Sequence, residues 1–156
     1  MALFHYHSPD YFAEYFIYNP DKGFTFQLRA CKDAFYGLYR KDGKGDDEPN
    51  LIMVGAIGLL TNNNSYYVFR NKTKGVYNMY KKVNQSPISC TEFRPFWIQT
   101  TTTSIVIGNG QEIGETAVLT YNYAIGRPNK ISFSNPLSSK NYQKAEWIFG
   151  KFLFSF

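Results

Sequence analysis

Between Phe24 and Ala30 the chain sets Phe24, Phe26, Leu28 and Ala30 at every second position, with Thr25, Gln27 and Arg29 between them. A side-chain period of two places the apolar residues on one face of an extended strand and the polar ones on the other. Such a strand has to find a facing layer, and that need governs what the rest of the chain can do. Aromatic and β-branched runs recur along the whole length: Tyr11 to Tyr18, Phe24 to Leu38, Leu51 to Ile57, Tyr66 to Asn71, Val76 to Val83, Phe93 to Thr100, Ser104 to Ile107, Thr116 to Tyr121, Lys130 to Ser134 and Trp147 to Phe154. Turn formers separate them. Asn19-Pro-Asp-Lys-Gly23 predicts that the first two runs close as a hairpin. Ser8-Pro-Asp10 has the form of a helix cap, but the aromatic residues after it make it a strand entry. Many short strands with turns between them predict an all-β, antiparallel sandwich.

At 156 residues the chain has material for one full core and is short for two. No fixed-period repeat, linker or break in composition divides it, so residues 1–156 are read as a single domain, with Arg40 to Asn50 as a long polar loop. Hydrophobic residues make up 44%, with 13 Tyr and 14 Phe, a composition that buries enough apolar surface to fold unaided and leaves disorder to the loops. The net charge of +5 comes from 17 Lys and Arg scattered in ones and twos, a solvated surface and not a nucleic-acid footprint. Met1-Ala-Leu-Phe-His-Tyr-His7 lacks the basic start and apolar run of a secretory signal, and no apolar window is long enough to cross a bilayer. The compartment is left open. Cys31 and Cys90 are expected to be free and buried, because two cysteines do not define a disulfide framework. The sequons at Asn63, Asn71 and Asn84 matter only on a secretory route.

Several segments in order carry a family resemblance. Phe26-Gln-Leu-Arg-Ala-Cys-Lys-Asp-Ala34 is followed by Val54-Gly-Ala-Ile-Gly58 and by Asn62-Asn-Asn-Ser65 leading to Arg70. Then come Glu92-Phe-Arg-Pro-Phe-Trp-Ile98, Ile105-Val-Ile-Gly-Asn-Gly110, and Ile131-Ser-Phe-Ser134 before Trp147. Over roughly residues 10 to 150 this order resembles the domain family named after farnesoic acid O-methyltransferase. The chain departs from it at Thr100 to Thr103, where the family often has Trp and Gly, so a shorter, differently shaped turn is expected. The resemblance implies a jelly-roll-like β-sandwich. Its name implies methyl transfer to a sesquiterpenoid acid, yet such domains also serve as extracellular and adhesive modules, and some invertebrate members look like lectins.

The residues themselves argue against catalysis. Ser104-Ile-Val-Ile-Gly-Asn-Gly-Gln-Glu-Ile-Gly114 supplies a strand and glycines, but the spacing of Gly108, Gly110 and Gly114 is not G-x-G-x-x-G. The residues that follow, Glu115 to Asn122, are β-prone and carry no helical stripe. A phosphate or cofactor cradle needs a helix N-terminus there, so the stretch is expected to be a strand and hairpin turn. His5 and His7 would share a strand face as weak metal ligands, but read better as solvated terminal residues. Cys31 has no histidine near it in sequence and is expected to pack against the core, while Asp33, Glu92 and Arg94 are expected in structural ion pairs.

Two polar constellations remain. In Gly45-Asp-Asp-Glu-Pro-Asn50, the oxygens of Asp46, Asp47, Glu48 and Asn50 suit calcium, and Glu48-Pro-Asn50 matches a tripeptide of calcium-dependent C-type lectins. The cysteine framework and the Trp-Asn-Asp element of that family are absent, and a solvated acidic loop is the competing reading. A sugar site needs side chains that both donate and accept, beside an aromatic ring. If successive strands alternate in direction, one end of the sandwich gathers the loops holding Asn62, Asn63, Asn64, Asn109, Gln111, Glu112, Asn141 and Tyr142. Turn-forming alone would also account for any one of these residues. The sequence thus predicts a non-enzymatic carbohydrate-binding protein, a lectin recognising glycans or glycoproteins, with galactose-type sugars as the first to try. It would display its sites as a homo-oligomer, require no cofactor, and neither bind nucleic acid nor insert into a membrane. An adhesion module for protein or lipid and a sesquiterpenoid acid methyltransferase are the alternatives.

Overall fold

The computed structural model describes residues 13–17, 22–31, 34–39, 51–58, 66–71, 79–82, 86–122, 128–134, 145–149 and 152–155. These form strands β1 (Ala13–Ile17), β2 (Phe24–Arg29), β3 (Ala34–Tyr39), β4 (Leu51–Ile57), β5 (Tyr66–Asn71), β6 (Met79–Lys82), β7 (Arg94–Thr100), β8 (Ser104–Asn109), β9 (Ala117–Asn122), β10 (Lys130–Ser134), β11 (Glu146–Phe149) and β12 (Phe152–Ser155). One six-stranded sheet, sheet A, runs β1-β10-β3-β4-β5-β6, and a second six-stranded sheet, sheet B, runs β12-β11-β2-β7-β8-β9. Pairing within both sheets is antiparallel throughout. The edge strands β6 and β9 approach each other and close one side of an all-β sandwich.

Alternation along the strands fills the space between the sheets. Phe26 and Leu28 on β2, Phe96 and Ile98 on β7, Ile105 and Ile107 on β8 and Trp147 on β11 enter one buried cluster. Ala34, Tyr36 and Leu38 on β3, Ile57 on β4 and Ile131 on β10 meet them from sheet A. Phe26 sits at the centre of an aromatic group, with ring centroids 5.6 Å from Phe96, 5.5 Å from Trp147 and 5.7 Å from Phe149. Each such side chain taken from water contributes about 1.5–3 kcal/mol. The polar partners Thr25 and Gln27 remain exposed on the outer face of sheet B.

Four local expectations fail. The runs on either side of residues 19–23 do not form a hairpin: β1 pairs with β10 in sheet A, whereas β2 lies between β11 and β7 in sheet B. The run Phe24 to Leu38 also breaks, because the chain crosses from sheet B to sheet A between β2 and β3. Trp147 to Phe154 likewise divides, into the β11–β12 hairpin. The cysteines are neither free nor buried. Cys31 and Cys90 form a disulfide with Cα atoms 4.2 Å apart, and Cys90 is exposed. The bridge is possible because Ala30 N–H donates to the Ser89 carbonyl at 3.0 Å, which brings the end of β2 beside the approach to β7. The Ser8–Asp10 stretch, His5, His7 and Asp33 lie outside the described residues.

Candidate functional site

Successive strands alternate in direction through both sheets, so the connections divide between two ends as the loop parity requires. The strand ends bounding residues 58–65, 83–93, 110–116 and 135–145 share one end. At that end Asn109, Gln111 and Glu112 are described, whereas Asn62, Asn63, Asn64, Asn141 and Tyr142 lie outside the described residues. The acidic loop with Asp46, Asp47, Glu48 and Asn50 lies outside them too, and among the described residues no cluster of His, Cys, Asp and Glu could hold a metal ion.

The glycine stretch is the β8–β9 hairpin. Its strand continues into a turn and then into β9, with no helix after the glycines to present N–H groups to a phosphate. Asn109 N–H donates to the Thr116 carbonyl at 2.9 Å, and Glu115 N–H donates to the Glu112 carbonyl at 3.3 Å. Gly110 has φ +126° and Gly114 φ +94°, values an L side chain rarely adopts. The Glu115 carboxylate folds back over Gly110 and accepts the Gln111 N–H at 3.0 Å.

This turn does not project from the end of the sandwich. Gly110 N–H donates to the Pro95 carbonyl at 3.1 Å, at the start of β7. Three residues on, Ile113 Cδ1 lies 3.0 Å from where a Cβ of Gly23 would stand, beside Gln99 near the far end of β7. Between those two contacts the turn crosses the outer face of sheet B. Trp97 lies beneath it. Its neighbours Phe96 and Ile98 point into the core, so Trp97 faces outward with Pro95 and Gln99, yet it is only 2% exposed. Gly108, paired opposite, makes room for the indole: a Cβ there would stand 2.5 Å from Trp97 Nε1. That Nε1–H is buried without a hydrogen-bond partner. We call residues 110–116 the flap.

Beside the flap, Thr25, Phe26, Gln27, Pro95, Gln111 and Ile148 line an open groove of about 250 Å³. The exposed Gln27 and Gln111 bring amides to it and Thr25 a hydroxyl. Further along β2 the Arg29 guanidinium lies 2.5 Å from Glu146 on β11 and 4.5 Å from the centroid of Phe93. The hydrogen bond to Glu146, and then its charge, push Arg29 above its ordinary pKa, while partial desolvation opposes them. The pair neutralises itself, so along the groove stand amides and a hydroxyl, with the carboxylates of Glu112 and Glu115 flanking Gln111. Arg94 donates to the Ser86 carbonyl and Glu92 is exposed, so neither forms an acid–base pair with the other here.

Of the residues the sequence singled out, Gln111 lines the groove, Glu112 is exposed at the turn, and Asn109 is half-buried at the end of β8. Thr25, Gln27, Trp97 and Glu115 were not singled out. One signal was available: Phe96-Trp97-Ile98 puts three apolar residues in a row in an alternating strand, which requires cover on both faces.

No protein-family model matches the chain and no curated protein matches it. Solved structures do match in fold. A tetrameric galectin from the ball sponge Cinachyrella superposes with a TM-score of 0.53 at 12% identity, covering 92% of this chain and 98% of that one. A reconstructed ancestral congerin gives 0.52 at 7% identity, covering 92% and 99%. A double mutant of congerin II gives 0.50 at 13%, covering 89% and 96%. At these identities the likeness is one of fold, a jelly-roll-like β-sandwich spanning nearly the whole of both chains.

Proposed function

We propose that this protein is a non-enzymatic lectin that recognises glycans, with galactose-type sugars the first class to test. The observation that carries the reading is the sandwich itself, which matches galectin and congerin lectins over about nine-tenths of the chain. Asn62, Asn63, Asn64, Asn141 and Tyr142 of the loops at one end, with Asn109, Gln111 and Glu112 of the turn that starts there and folds back over sheet B, are the proposed binding region, and glycoproteins are the proposed partners. One of the matching galectins is described as tetrameric, which supports a homo-oligomer here, since several weak sites on one particle multiply avidity. The disulfide fits a protein that meets glycans in an oxidising compartment. The name of the farnesoic acid O-methyltransferase family does not carry over with its β-sandwich: the strand–turn–strand geometry of residues 104–122 lacks the cradle that the usual methyl-donor chemistry needs.

A glycan array, followed by agglutination inhibited with the best simple sugar, tests the proposal. Binding across a coherent set of terminal sugars is the expected result. No binding over a broad panel removes the lectin reading and moves attention to protein or lipid adhesion. Calorimetry with S-adenosylmethionine checks the enzyme alternative and is expected to show no heat of binding. Repeating the array with a chelator assigns the acidic loop: loss restored by calcium places an ion at Asp46, Asp47, Glu48 and Asn50, and unchanged binding removes it.

A further inference from the structure

The outer face of sheet B holds an arrangement that core packing does not require. An indole stands on the outer side of sheet B, the face the flap crosses, is only 2% exposed, and keeps an N–H with no partner. Burying a polar group in that way is costly unless something completes it. Gly110 and Gly114 with positive φ bend the cover, the Glu115 carboxylate accepting the Gln111 N–H braces it internally, and the Gly110 N–H to the Pro95 carbonyl and Ile113 beside Gly23 hold it to the sheet. Immediately beside the indole runs the groove, with Thr25 paired across from Trp97 and Gln27 paired across from Pro95.

We propose that this face is a gated saccharide site. A neutral pyranose enters the groove, Gln27 and Thr25 on β2 hydrogen-bond its hydroxyls, and the flap, carrying Gln111, lifts so that the apolar face of the ring lies against Trp97. The inference rests on the lectin reading for the class of ligand, and the groove chemistry narrows it. Amides and a hydroxyl both donate and accept, as vicinal sugar hydroxyls do. The carboxylates of Glu112 and Glu115 flank Gln111 at the groove, and Arg29 is occupied by Glu146, which disfavours an anionic ligand. At about 250 Å³ the groove falls below the roughly 300–1,000 Å³ of drug-sized pockets, and so fits a single ring. A buried indole reached by moving a short segment is a minor-state pocket, whose apparent affinity is lowered by the fraction of molecules with the flap open.

The experiment combines tryptophan emission with variants, using neutral monosaccharides and the disaccharides that score on the array. The chain has two tryptophans, and Trp147 is fully buried in the core, so a sugar-dependent emission change reports Trp97. Trp97→Phe is expected to lose the emission change and weaken binding about ten-fold. Gln27→Ala should weaken it roughly three- to ten-fold, the range for one net hydrogen bond. Ile113→Ala, which removes the flap's side-chain contact beside Gly23, should raise acrylamide quenching of Trp97 and tighten binding several-fold. Should Trp97→Phe fail to fold, indole and side-chain amide NMR shifts of the unaltered protein under the same sugars read the site directly. Sugar binding that leaves Trp97, Gln27 and Gln111 unshifted, or that survives Gln27→Ala unchanged, overturns this site and leaves the lectin reading standing. Lost binding in Trp97→Phe with unchanged affinity in Ile113→Ala overturns the gate. Binding of a peptide or a lipid vesicle at these residues, with no sugar binding, overturns both readings, as does a silent array.

Discussion

Removing the Cys31–Cys90 bridge should lower stability by an amount that the chain topology sets. The two cysteines are separated by 59 residues, and the loop they close contains all of β3, β4, β5 and β6. In the denatured chain the bridge restricts that whole segment. The loop-closure expression for 59 residues gives an entropy of about −14 cal/mol/K, or about 4 kcal/mol at 25 °C. The folded core changes little, because Cys90 is exposed and the neighbouring bond from Ala30 N–H to the Ser89 carbonyl does not involve sulfur, so loosening is confined to residues 86–93 and what hangs from them. For a chain of 156 residues, about 2–4 °C in Tm per kcal/mol converts this to a fall of roughly 8–16 °C in a Cys31→Ala, Cys90→Ala double variant. Urea unfolding supplies a second readout. The slope m should rise, because an uncrosslinked denatured chain exposes more surface. A double variant whose Tm lies within about 2 °C of the parent, with m unchanged, would refute the reasoning by showing that the bridge does not constrain the denatured ensemble.

Gly108→Ala places a methyl against the Trp97 indole between two paired strands, where neither backbone can retreat, and is expected to cost about 1–3 kcal/mol by thermal melting. Leu28→Ala empties the centre of the core at a fully buried position and should cost about 2–5 kcal/mol in urea titrations, with the sandwich signature in far-UV circular dichroism retained. Gly110→Ala combines a strained φ with a collision against Glu115, and is expected to displace the flap, with acrylamide quenching of Trp97 rising while Tm falls by only a few degrees.

The parts of the fold that were legible in the sequence are those set by neighbours along the chain. The alternation in Phe24 to Ala30 fixes which residues meet the core, because every second side chain must share a face whatever the strand pairs with. Pairing partners are another matter. Asn19 to Gly23 shows that the chain reverses, but the partner of β1 is β10, more than a hundred residues away, and nothing in the turn encodes that. The disulfide has the same character: Cys31 and Cys90 become neighbours only once β2 and β7 have paired. At the candidate site, Gln111 could be picked out as a polar turn residue. That its turn lies back over Trp97 depends on contacts of Gly110 with Pro95 and of Ile113 near Gly23, which are long-range consequences of the sheet.

The same geometry ties the bridge to the flap. The start of β7 is held from three sides: Ala30 bonds Ser89 beside the disulfide, the Arg94 guanidinium bonds the Ser86 carbonyl, and Gly110 bonds Pro95. Only the last of these belongs to the flap, so the flap hangs from a strand end whose position the disulfide helps to set. Reducing the bridge loosens residues 86–93 before it unfolds the core, because Phe96, Ile98 and their partners in sheet A lie within the sandwich and do not depend on sulfur. A reductant added well below the melting transition should therefore raise acrylamide quenching of Trp97 while Trp147 stays shielded. A mixed emission in which both tryptophans become accessible together would show instead that flap and core open as one cooperative unit.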